Sequence, residues 1–331
     1  MSSAALPLEQ PRIRLADQPV EAVAVHLLDL LIDKTAGDRL REVMTDLGHM
    51  LSPHELGEIY QFIAAMTTED GWAQIAAYAP MWSQLRNGAG AVFSHEVLFE
   101  GSVLFRSAVQ AREGAGRPAL VCFTSRQNGM FMPNCRFLEL LGRYPVDVVM
   151  NWTDSGTFGL WDVDGAGSFA GSLARLKAAL AGRGIRARVY AGASAGCGPA
   201  VYAATLDPGT KERGTEERGT VAVLFGCRFY VPGRNIPLAQ AGPAFEPICD
   251  CWQGPKPEVH NIFGGLQPID LENDARLQAL LPGARSYPLP GDNKHSPMVT
   301  LTVRRKLRPV IDLLVQAASG IHVDFEMVTR T

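Results

Sequence analysis

Cysteine is scarce in this chain. Six cysteines in 331 residues are too few for a disulfide framework, and the composition leads us to expect a reduced, cytoplasmic protein. Charge of one sign is also missing. Lys and Arg total 31 against 34 Asp and Glu, a net charge of −3, so there is no overall basic footprint for nucleic acid or an anionic membrane. No uninterrupted apolar run approaches the roughly 18 residues of a membrane-spanning helix. The best stretch, Val20 to Ile32, is interrupted by Glu21, His26 and Asp29. The first 19 residues lack the basic-then-apolar order of a secretory leader.

Metal and cofactor motifs are missing as well. Cys249-Asp250-Cys251 has no companion pair at zinc spacing, and Asp162-Val163-Asp164-Gly165 lacks the remaining ligands of a calcium loop. Gly165-Ala166-Gly167-Ser168 is too sparse for a phosphate loop. We therefore expect neither a metal nor a cofactor. What is present, 47% hydrophobic and 20% charged residues, is ordinary for a packed globular protein.

Residues 1–18 read as a loose tail and residues 19–88 as a helical segment. Val20, Val23, Leu27 and Leu30/Leu31 recur at helical spacing, as do Leu40, Val43, Met44 and Leu47. Ser52-Pro53-His54-Glu55 has the form of a helix start with a capping box, and a further helix is expected after Thr67. From residue 89 the texture changes. His95–Phe99 and Ser102–Ser107 read as strands around Glu100-Gly101. Six compact apolar strands then alternate with helices: Ala119–Thr124, Val146–Trp152, Ala187–Ala191, Thr220–Phe225, Val259–Phe263 and Ala284–Leu289. The intervening helices are expected at Pro133–Leu141, Ser168–Ala181, Gly198–Leu206 and Asp274–Leu280, with a last one over Thr302–Ala318. Strands that are apolar on both faces and alternate with helices predict an α/β domain over 89–331, with a mostly parallel, doubly wound sheet. Residues 228–258, carrying six prolines, read as a lid-like insertion.

The motif that carries chemistry is Gly192-Ala193-Ser194-Ala195-Gly196, which follows an expected strand and precedes an expected helix. A serine there must occupy a tight, strained turn that lifts its hydroxyl above the sheet edge. The same turn puts the Ala195 N–H at a helix N-terminus, where a developing oxyanion is favoured. A serine hydroxyl needs a base. Of the downstream histidines, His295 sits in a polar loop after the last strand. His260 lies within an apolar strand and reads as a core residue, and His322 lies beyond the final helix. The orienting acid is sought after the Val259–Phe263 strand. Asp270 is the first carboxylate there, with Asp274 as the alternative, free also to cap the next helix.

These features, over residues 90 to 320, make the chain resemble the α/β-hydrolase superfamily. The resemblance implies a Ser194–His295–Asp270 triad acting through an acyl-enzyme on an ester or thioester. It also implies a second oxyanion donor near Arg126 or Gln127, in the loop after an earlier strand. It places a cap over 228–258, where Phe229, Tyr230, Phe245 and Trp252 would contact the substrate, a small-molecule or carrier-bound acyl compound. Transfer of the acyl group to another alcohol, and a non-catalytic scaffold on the same fold, remain alternatives at this stage.

Overall fold

A computed structural model of the chain describes residues 20–33, 37–50, 59, 68–78, 93–99, 101–111, 117–124, 129–132, 134–151, 169–207, 220–228 and 256–330. Three helices come first: α1 (Val20–Ile32), α2 (Gly37–Met50) and α3 (Glu69–Tyr78). Then follow β1 (Phe93–Phe99), β2 (Ser102–Ser107), β3 (Arg117–Phe123), α4 (Asn134–Leu141), β4 (Asp147–Asn151), α5 (Phe169–Ala181) and β5 (Ile185–Ala193). A one-turn 3₁₀ helix, Ser194–Gly196, leads into α6 (Cys197–Leu206). The chain continues through β6 (Val221–Phe225), β7 (Glu258–Gly264), α7 (Pro268–Leu280), β8 (Arg285–Leu289), α8 (Pro297–Val303), α9 (Leu307–Ala318) and α10 (Glu326–Thr329). The proposed helix start at Ser52 and the lid aromatics Phe229, Tyr230, Phe245 and Trp252 lie outside the described residues. Among the described residues no helix is long and apolar enough to cross a membrane.

The eight strands form one sheet in the order β1-β2-β4-β3-β5-β6-β7-β8. β2 runs antiparallel to both neighbours, and every pair from β4 to β8 is parallel. Successive strand residues point to opposite faces, and here both faces are dry. On β3, Leu120 and Cys122 join one buried cluster while Ala119, Val121 and Phe123 join the other. On β6, Val223 and Phe225 separate from Ala222 and Leu224 in the same way. That two-sided burial is why these strands read as unbroken apolar runs. Helices α4, α8 and α9 cover the first face, and α5, α6 and α7 the second. The side chains buried by α1–α3, among them Leu27, Leu40, Met44 and Ile75, belong to the first-face cluster along with Phe137 and Leu141 of α4.

Beyond shifts of a single residue, two of the expected helices differ from the sequence expectation. α7 begins at Pro268, six residues before Asp274, because proline suits the first helical turn. Its buried positions are Asp270, Asn273 and Leu277, so no apolar run at helical spacing betrays it. The expected single last helix is two helices. Arg305 adopts φ +58°, the Lys306 N–H donates to the Leu301 carbonyl at 2.8 Å and the Arg305 N–H to that of Thr302 at 3.0 Å. This is a left-handed helix stop built on arginine where glycine would ordinarily announce it.

A charged network ties α5, β5 and α6 together. The Asp207 carboxylate, 3% exposed, accepts from Arg188 Nε at 2.9 Å, Tyr190 Oη at 2.7 Å and pairs with Lys177 Nζ at 2.7 Å. Burial pushes its pKa up, but the bonds from Arg188, then Lys177 and Tyr190, outweigh it and hold the group below its ordinary 3.8. A depressed folded-state pKa means the stabilisation is complete above the unfolded value near 3.8 and is lost as pH falls through the lower folded value. Asp207→Asn leaves Arg188 without its counter-charge and is expected to cost about 3–5 kcal/mol near neutrality. Urea unfolding at pH 7 and pH 3 checks this: the gap between wild type and variant should narrow at the lower pH.

Candidate active site

Parallel strands aligned side by side present all their carboxyl ends along one edge, and ligands gather there where strand order reverses. The reversal here falls between β3 and β5, and β5 delivers Ser194 to that edge. Ser194 has φ +52°, a left-handed conformation that a non-glycine residue holds only under strain. The tight turn is possible because its flanks have no Cβ. One added to Gly192 would sit 2.6 Å from the Cys197 Cα, and one on Gly196 would sit 2.1 Å from the Phe123 carbonyl oxygen at the end of β3. Cys197, fully buried, anchors the turn from below, its thiol donating to the Gly192 carbonyl at 3.3 Å.

His295 follows β8 and returns over the same edge. Its Nε2 lies 2.8 Å from Ser194 Oγ, and its Nδ1 lies 2.6 Å from Asp270 Oδ1. An ionised carboxylate only accepts, so Nδ1–H donates to Asp270 and leaves Nε2 free to accept the serine O–H. The Asp270 carboxylate is completely buried, while the His295 ring is 16% exposed. Asp270 is not in a loop, as the sequence suggested, but in the first turn of α7. Of the two acids left open, Asp270 meets His295. Asp274 instead accepts from Asn261 Nδ2 at 2.8 Å and from the Ser286 hydroxyl at 2.7 Å, and it stands in mid-helix rather than at a cap. His260 is fully buried, 3.0 Å from the Tyr287 hydroxyl, and His322 lies 3.2 Å from Glu258.

Ala195 lies in the first turn of the short helix that runs into α6, so its N–H is among those that helix geometry leaves without an intrahelical acceptor. Arg126 and Gln127 lie outside the described residues.

No family model and no curated protein sequence matches the chain. Among solved structures, a 2,6-dihydroxy-pseudo-oxynicotine hydrolase is similar over 93% of this chain and 93% of its own, at 14% identity and a TM-score of 0.50. The chain has the α/β-hydrolase fold. Similar structures also include a truncated carbohydrate esterase from gut microbiota, at 12% identity over 71% of this chain and 100% of that one, TM-score 0.48. Another is carboxyl esterase 2 of the mycorrhizal fungus Tuber melanosporum, at 12% identity over 72% and 90% of the two chains, TM-score 0.47.

Within this hydrolase fold, two residues beside His295 escaped the sequence reading. Gly226, after β6, has φ +56°, and a Cβ there would lie 2.6 Å from the His295 carbonyl oxygen and 3.2 Å from its ring. Phe131, between β3 and α4, meets the His295 ring edge-on, with centroids 5.2 Å apart at 90°, and its own φ is +60°. The only sequence signal was an apolar run, Met130-Phe131-Met132, in an otherwise polar loop. An aromatic pair of this geometry contributes about 0.5–1.5 kcal/mol beyond area burial. Phe131→Ala is therefore expected to lower kcat on an ester substrate by roughly 3- to 10-fold. Steady-state kinetics on Phe131→Ala and Phe131→Leu check it, with partial rescue expected in the leucine variant.

Proposed function

We propose that this chain is a serine hydrolase acting on an ester or thioester. Ser194 is its nucleophile, His295 its general base and Asp270 the acid that orients the histidine. The observation that carries this reading is the hydrogen-bonded run from Ser194 Oγ through both His295 nitrogens to Asp270, at 2.8 and 2.6 Å, on a serine in strained backbone.

Ser194 Oγ would attack the acyl carbon as its proton passes to His295 Nε2. Negative charge then grows on the former carbonyl oxygen, where the Ala195 N–H and the positive end of α6 favour it. His295 returns the proton to the departing alcohol or thiol as the C–O or C–S bond breaks, leaving an ester on Ser194. A water molecule, deprotonated by the same nitrogen, attacks that ester, the Oγ–acyl bond breaks as Nε2 returns the proton to Ser194 Oγ, and the acid is released. Asp270 keeps the proton on Nδ1 and stabilises the imidazolium formed in each half. The substrate we have in view is a small-molecule or carrier-bound acyl compound.

The test is hydrolysis of a panel of short-chain nitrophenyl esters and acyl thioesters by the wild type and by Ser194→Ala. Release of acid by the wild type alone supports the reading. An equal, low rate from both proteins would overturn it.

A further inference from the structure

The carboxyl end of β6 carries a cation that the proposed triad does not use. Arg228 stands two residues past Gly226, and its backbone N–H donates to the Ser194 carbonyl at 3.3 Å, so its main chain is one hydrogen bond from the nucleophile's. Its buried Nε has no hydrogen-bond partner among the described residues. Among the described residues no carboxylate lies within ion-pair distance of it. The charge it feels is that of Asp270, whose Oδ1 meets His295 and whose buried Oδ2 has no hydrogen-bond partner among the described residues. Burial alone pulls the guanidinium's pKa down, against the pull of Asp270.

A half-buried, always-charged guanidinium whose buried Nε–H has no acceptor is costly. The cost is offset when an anion with two parallel oxygens occupies the fork. We propose that Arg228 is a specificity residue that receives a carboxylate on the substrate, so that the preferred substrates are half-esters of dicarboxylic acids or esters of similar anionic acyl chains. This rests on the reading of Ser194 as nucleophile and adds the substrate's charge to it. A carboxylate fits better than a phosphate dianion, since the buried Asp270 charge close by disfavours a second negative charge.

The experiment compares monomethyl succinate, glutarate and adipate with the corresponding methyl esters ending in a carboxamide, in wild type, Arg228→Gln and Arg228→Lys. The wild type is expected to favour the carboxylate member by about tenfold or more in kcat/KM. In Arg228→Gln that ratio should fall to near 1, with Arg228→Lys between them because it keeps the charge and loses the fork. A residue acting only through Asp270 would lower both members alike and leave the ratio untouched, which would overturn the assignment. So would a wild type indifferent to the charge. Calorimetric binding of glutarate to Ser194→Ala, lost in Ser194→Ala/Arg228→Gln, reads the site without turnover. Binding without any hydrolysis would retain the anion site and sink the nucleophile reading. Hydrolysis without charge preference would do the reverse.

Discussion

Alanine at Ser194, at His295, or at both positions together is expected to lower ester turnover by the same amount, about 10⁶-fold. Two side chains that share one proton act as a unit. Without His295 Nε2 at 2.8 Å the serine keeps its proton, and without Ser194 the imidazole has no nucleophile to activate. The double variant should therefore be no worse than either single one, and the residue of rate should come from the Ala195 N–H and binding. Neither side chain is a core residue, so thermal unfolding should show all three variants folded. Turnover of the purified proteins measures this. Losses that multiply in the double variant would mean that the two residues act independently.

Asp270→Asn is expected to lower kcat by about 10⁴-fold, whereas Asp274→Asn should cost less than about tenfold. The two acids share one helix and lie four residues apart, but their partners differ. Asp270 receives the His295 Nδ1–H at 2.6 Å within a fully buried environment. An amide there can turn its N–H₂ towards Nδ1, which favours the tautomer with the proton on Nε2 and removes the base. Asp274 binds Asn261 and Ser286, which joins α7 to β7 and β8, so its replacement should appear in unfolding free energy, by about 1–2 kcal/mol, rather than in turnover. Kinetics and urea unfolding on both variants separate the two roles. A similar kinetic loss in both would mean that the acid can be supplied from either position.

The parallel strands were legible because burial on both faces removes polar residues from them, as in Leu120-Val121-Cys122 and Ala222-Val223-Leu224. The tight turn at Ser194 was legible because its steric demands force small residues at Gly192 and Gly196. Boundaries were lost where the local signal is weak or atypical: the start of α7, whose buried face is mostly polar, and the α8 stop on Arg305. Asp270 was consequently read in a loop rather than on a helix. Phe131, marked only by the apolar run around it, and Gly226 were hard to read for a different reason. Each matters through its approach to His295, 164 and 69 positions away in the sequence, and nothing in the local composition encodes such a meeting.

The most direct test is to react the wild-type protein with a fluorophosphonate and locate the adduct by peptide mass spectrometry. A single adduct on Ser194, absent from the His295→Ala and Ser194→Ala proteins, is the predicted result. An adduct on another residue, or labelling of Ser194 that persists at full rate in His295→Ala, would contradict the account.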